Sequence, residues 1–144
     1  MNYEFYFDLQ EQFNAKEASL NAELNAESKV WEQQYADFQD KVQKGLITRA
    51  RAAEMEQQLG VRQQELLQLR DNLQRQLMEE ERVMNNQLQY SILEFIEEYN
   101  KTHNYQFVFS NSLGGALLFA NSQLNITDEV VAGINEKYLK EKDK

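Results

Sequence analysis

The chain has no cysteine and no proline in 144 residues, five glycines, one histidine, and 15 bases against 24 acids. Without cysteine there is no disulfide framework and no thiolate site. His103 stands alone, with no HxxxH or HExxH spacing around it, which excludes the usual zinc sites and a histidine-activated nucleophile. Gly114-Gly115 is not a phosphate-cradling loop, because neither GxxxxGK[ST] nor GxGxxG occurs. Carboxylates abound, but on solvated helices they lack the burial that tunes a catalytic pair. The sequence therefore predicts a protein that is not an enzyme and that needs no cofactor or metal. A net charge of −9 argues against nucleic acid as a partner, since phosphate binding needs a basic surface. No apolar run approaches the ~18 residues of a membrane-spanning helix. The opening, Met1 to Asp8, has neither a basic nor an apolar leader region, so it does not read as a secretory signal; a cytosolic protein or a trimmed chain is expected.

What is present is helix. From Thr48 to Asn100 the only glycine is Gly60, and small or apolar residues recur at steps of three and four: Ala52, Met55, Leu59, Leu66, Leu69, Leu73. Arg62 occupies the one seam position between Leu59 and Leu66. This narrow stripe is that of a coiled coil. A helix over 49–100 would be roughly 78 Å long at ~1.5 Å per residue, too long for the core of a single globule, so most of it is expected to project. A first helix over 6–43 carries its own seam through Phe13, Leu20, Leu24, Trp31, Tyr35, Phe38 and Val42. Phe5, Leu9 and Phe13 share one face of it and are expected to form a core patch.

Gly45 can take the left-handed conformation that closes a helix, and Thr48 can cap the next one. So short a link forces the two helices to fold back antiparallel. With the turn near residue 46, residues 87–100 find no partner in the first helix and must pack on something else. Lys41, Lys44, Arg49 and Arg51 put four bases and no acid into the window 41–51. That basic tip is usually just solvated surface; its functional reading is contact with anionic lipid or an acidic partner.

Beyond the second helix, Tyr105–Ser110 alternates as a strand, 111–115 is turn material, and 116–120 reads as a second strand. A lone hairpin of two strands is marginal in water and needs other elements or other copies of the chain. Thr127, followed by Asp128 and Glu129, predicts a last helix running to about 139. The expected fold class is mainly α with a small β element: a long antiparallel helical hairpin on a small α+β oligomerisation body.

This order of elements resembles the Skp/OmpH family of periplasmic chaperones. The likeness is carried by Tyr105-Gln-Phe-Val-Phe-Ser110, by Leu117-Leu-Phe-Ala-Asn121, and by Asn125-Ile-Thr-Asp-Glu-Val130 with Asn135 and Tyr138. Tyr99-Asn100-Lys101 and Gln10-Glu11-Gln12 look like the Bacteroidetes-type branch. It covers essentially the whole chain, as one domain over 1–144 in which 6–100 is a tentacle with its tip at 44–48 and 101–144 forms the body. Relative to the family pattern, the signal peptide and the short first strand are absent, and the acidic charge replaces a basic one.

The resemblance implies a periplasmic homotrimer that holds unfolded outer-membrane proteins between its tentacles and prevents their aggregation without ATP. On that reading Trp31, Tyr35, Phe38 and Met55 face the client. Phe95, Tyr99, Tyr105, Phe107, Phe109, Leu117, Phe119, Ile126 and Val130 build the oligomerisation body. The tip bases offer a contact with an anionic membrane surface. The alternative is a structural or adaptor coiled coil that binds one folded partner through its hairpin.

Overall fold

The computed structural model describes residues 3–110, 117 and 119–143. Three α-helices follow one another: α1 (Glu4–Gln43), α2 (Arg49–His103) and α3 (Thr127–Lys142), with a single 3-10 turn, Ser122–Leu124, before the last. The expected helices are all present, each longer than its apolar pattern by a few residues. Their polar ends carry no seam residue to mark them, and helix ends are set by capping.

The α1–α2 link follows from Gly45. Its φ of 64° is the left-handed value that glycine adopts without cost. Leu46 N–H then donates to the Lys41 carbonyl (2.9 Å) and Gly45 N–H to that of Val42 (3.1 Å), the paired bonds of a Schellman motif. Thr48 Oγ1 accepts from Arg51 N–H at 3.2 Å and starts α2, as its residue type predicts.

The chain divides into two compact units, Gln12–Arg82 and Met1–Glu11 with Val83–Lys144. In the first, α1 and α2 lie antiparallel. Leu20, Leu59 and Leu73 are buried along their seam, while Leu24, Trp31, Phe38, Met55, Leu66, Leu69 and Leu77 are half-buried. The Trp31 indole reaches the Leu59 carbonyl and Lys16 reaches Glu80, both within about one turn of a register centred on residue 46.

The second unit is a three-helix cluster. Tyr3, Phe95 and Ile134 form its buried centre, with Phe5, Tyr6, Leu88, Ile92, Tyr99 and Val130 packed around them. Residues 88–99 thus find their apolar partners on α3 and at the start of α1. Polar contacts fix the arrangement. Tyr3 Oη lies 2.5 Å from Ser91 Oγ. Asn135 Oδ1 accepts from Glu4 N–H at 2.9 Å and so caps α1 from another helix. The Asp8 carboxylate accepts from the Tyr138 hydroxyl (2.6 Å) and from Lys142.

Two expectations fail here. Tyr105–Ser110 forms no strand, and no strand occurs among the described residues. A strand exists only when its backbone is paired, and alternation in sequence marks the capacity to pair, not a partner. Much of the expected partner segment and turn (111–116 and 118) lies outside the described residues. Nor does Thr127 cap α3. The cap position is Ile126, with no side-chain bond, and Asn125 Oδ1 instead accepts from Thr127 N–H at 3.0 Å. Asn125 thus forms a local turn that satisfies the Thr127 N–H from outside the helix, and Thr127 enters as the first helical residue.

Candidate functional site

Along the hairpin unit, the aromatic residues of α1 form a row on one stripe. Trp31 and Tyr35 stack at 5.2 Å between ring centroids with planes 11° apart, and Phe38 follows at 6.5 Å. Trp31 and Phe38 are half-buried, as is Met55 on α2, whereas Tyr35 keeps 40% of its surface in solvent. The indole N–H is not free for a ligand, since it donates to Leu59 O at 3.1 Å. What this row offers is apolar area at the hairpin's edge. Val30, Val42 and Val61 of the same unit are also exposed, and of the three only Val42 belonged to the expected seam.

Arg62, the polar residue in the seam, lies between the helices. Its guanidinium donates to Glu27 of α1 and, at 3.0 Å, to Glu65 one turn on in α2. The Glu65 hydrogen bond and then the Glu27 charge raise its pKa further. Beside it an open groove of about 700 Å³ runs along the hairpin, lined by Gln34 and Asp37 on one side and Met55, Gln58, Leu59 and Arg62 on the other.

The basic tip is largely neutralised. Lys41 pairs with Asp37 (2.6 Å), Lys44 with Asp40 (2.7 Å) and Arg51 with Glu54 (2.6 Å), all acids just outside the window 41–51. Among the described residues only Arg49 of the four has no ion pair. Leu46, 66% exposed, makes the tip as much apolar as basic.

In the three-helix cluster the expected body residues separate into two sets. Phe95 is buried in the centre, and Tyr99 and Val130 pack on it, with Ile126 and Leu117 half-buried. Tyr105 belongs to a stack: Tyr99 and His103 lie 3.8 Å apart, and His103 and Tyr105 5.8 Å apart. The Asn100 side chain holds both backbone groups of Tyr105, donating to its carbonyl (3.0 Å) and accepting from its N–H (2.6 Å). The Tyr99 hydroxyl donates to Glu129 at 2.7 Å, and that bond together with desolvation pushes its pKa up to about 12. The other set is in solvent: Phe107 is 75%, Phe109 66% and Phe119 85% exposed. Of these, Phe107 and Phe109 stack with their centroids 5.9 Å apart.

No group of His, Asp and Glu among the described residues is arranged to hold a metal, and no described helix is long and apolar enough to cross a membrane. The described residues form a coiled-coil-like hairpin unit with an apolar edge and a small helical cluster bearing exposed rings. The family described as outer membrane protein (OmpH-like) matches residues 1–134, and the chain belongs to that family. No curated protein is matched by the chain. The family is one of chaperones of the Skp/OmpH type rather than of enzymes.

Proposed function

We propose that the chain is a periplasmic, ATP-independent holdase that binds unfolded outer-membrane proteins in a cavity between helical hairpins and prevents their aggregation. The observation that carries this reading is membership of the OmpH-like family across 1–134. The hairpin's chemistry supports it: a row of partly exposed apolar residues beside an open groove suits weak, adaptable contacts with an unstructured chain. The hairpin unit Gln12–Arg82, the part of 6–100 that stands outside the three-helix cluster, acts as the client-holding arm with its tip at 44–48, and the cluster together with 101–144 serves assembly. Trp31, Tyr35, Phe38 and Met55 touch the client. The basic tip adds little, because exposed bases paired with neighbouring acids attract an anionic surface weakly.

Assembly is the second half of the proposal. The exposure of Phe107, Phe109 and Phe119 supports an oligomer, a trimer by family likeness, in which 105–110 becomes a strand by pairing with another element of the body. Several arms on one body raise avidity without any specific pocket.

The test is suppression of aggregation when a urea-unfolded outer-membrane protein is diluted into buffer with the chain, followed by light scattering. Protection without nucleotide is expected, weakened several-fold when Trp31, Tyr35 and Phe38 are replaced by Ser in a variant that remains helical. Absence of protection, together with tight binding to a single folded protein, would replace the holdase by an adaptor coiled coil.

A further inference from the structure

Asn100 and Tyr105 are joined twice at the end of α2. The half-buried Asn100 carboxamide accepts from Tyr105 N–H at 2.6 Å and donates to the Tyr105 carbonyl at 3.0 Å. One residue's N–H and C=O bonded to a donor and acceptor opposite is the pattern of a hydrogen-bonded pair in antiparallel strands. The Asn100 side chain thus takes the place that a neighbouring strand's backbone would hold. Its residue type suits the task, because a carboxamide carries a donor and an acceptor side by side, whereas an aspartate would supply the acceptor alone.

The rest of the helix end builds this geometry. Asn104 is left-handed, with a φ of 56°, a conformation that asparagine visits more readily than most residues. Its N–H closes α2 on the Asn100 carbonyl at 2.9 Å, the single bond of an αL cap. The Tyr105 ring then stacks 5.8 Å from His103 and 6.5 Å from Tyr99. Tyr99 in turn stacks on the buried Phe95 at 6.1 Å and donates to Glu129 of α3. Tyr105 is therefore tied to the centre of the cluster. Beyond it the chain bends at Gln106 and leaves Phe107 and Phe109 in solvent.

We propose that Asn100 is the positioning residue of the 105–110 segment: it keeps Tyr105 as an anchor on its own chain, so that the stretch which pairs in assembly begins at Gln106. Tyr105 N–H is already bonded and adds no rung to a ladder. Its ring stays on Tyr99 and His103 in the assembled protein, and Phe107 and Phe109 are the rings presented to the rest of the body. The assembly half rests on the proposed oligomer; the anchor does not.

The test combines amide hydrogen exchange with mass in solution over a dilution series, in the natural chain, Asn100→Ala and Asn100→Asp. In the most dilute natural chain the Tyr105 amide is expected to exchange about tenfold more slowly than those of Phe107 and Phe109, the effect of one well-made hydrogen bond. Asn100→Ala abolishes that difference and raises the concentration needed for assembly several-fold, while amides 92–96 of α2 keep their protection. Asn100→Asp retains the acceptor and so protects the Tyr105 amide, yet still weakens assembly, because its carboxylate faces the Tyr105 carbonyl. Equal exchange at 105 and 107 in the natural chain overturns the anchor, as does unchanged protection of Tyr105 in Asn100→Ala. Protection lost throughout 92–96 in Asn100→Ala, or assembly unaffected by it, overturns the positioning role. A natural chain that stays monomeric at every concentration sinks the oligomer, and the exchange data alone then decide the anchor.

Discussion

Gly133 of α3 lies against the ring of Phe95 so closely that a Cβ at 133 would come within 2.5 Å of its Cζ. Phe95 is itself buried, with Tyr3 and Ile134 around it, so the ring has nowhere to retreat. Overpacking of this kind costs typically about 1–3 kcal/mol, against a gain of up to about 1 kcal/mol from helix propensity. Gly133→Ala is therefore expected to destabilise the three-helix cluster by about 1–2 kcal/mol in urea unfolding followed by circular dichroism. Pairing it with Phe95→Leu should recover part of the loss, a coupling that a double-mutant cycle reads directly. Equal effects of Gly133→Ala with Phe95 and with Leu at position 95 would show that the ring is not the obstacle.

Arg62→Leu should stabilise the hairpin. The Arg62–Glu27 pair is about 40% exposed on both sides, and exposed pairs contribute at most about 1 kcal/mol. A leucine there would complete the seam between Leu59 and Leu66, and burying such a side chain gains about 1.5–3 kcal/mol. Glu27 loses its partner but keeps its water. A rise in melting temperature is the expected result; a fall would mean that the guanidinium does more than pair.

The α1 terminus gives a third prediction. Tyr3 is 1% exposed and its hydroxyl meets Ser91, while Asn135 caps the Glu4 N–H. Tyr3→Phe keeps the ring and loses one hydrogen bond, for a cost of about 1 kcal/mol, with Ser91 left to find another partner. Tyr3→Ala empties the centre of the cluster and should cost about 3–5 kcal/mol. A similar loss from both variants, measured by urea unfolding, would assign the whole effect to the hydroxyl.

How far the sequence was legible depends on the range of each interaction. Seam spacing, the Gly45 turn and the Thr48 cap are set within a few residues, and the structure has all three. A core patch was visible at the start of α1 through Phe5, Leu9 and Phe13, of which Phe5 packs on the cluster; Tyr3 as its centre was not visible, because its burial comes from Phe95 and Ile134, far along the chain. The net charge of the basic tip was not legible from the window alone: Asp37, Asp40 and Glu54 lie within one helical turn of it and pair with three of its four bases. The strand over 105–110 was legible as a pattern, but among the described residues no strand is paired with it. Arg62 showed only as a break in the seam, and Glu27, its partner, carried no signal at all.

The last prediction concerns pH. At the acid end, Asp8 has its pKa lowered, first by the Lys142 hydrogen bond and then by that from Tyr138. A depressed carboxyl contributes stability above its unfolded value of about 3.9 and loses it as pH falls through the lower folded value. At the alkaline end, Tyr99 is raised to about 12 by its bond to Glu129, so the folded state holds the phenolic proton more tightly than the unfolded chain. Its contribution is complete below the unfolded value of about 10 and disappears as pH rises towards 12. Both groups are on the surface, so each effect is a shallow slope and not a collapse. Tyr99→Phe should flatten the alkaline limb of a stability–pH curve and leave the acid limb intact. Asp8→Asn should flatten the acid limb and lower the alkaline one as well, because its carboxylate also raises the pKa of Tyr138 and Lys142. An acid limb altered by Tyr99→Phe would mean that the two sites are coupled through α3, which carries Glu129 near its start and Tyr138 and Lys142 near its end.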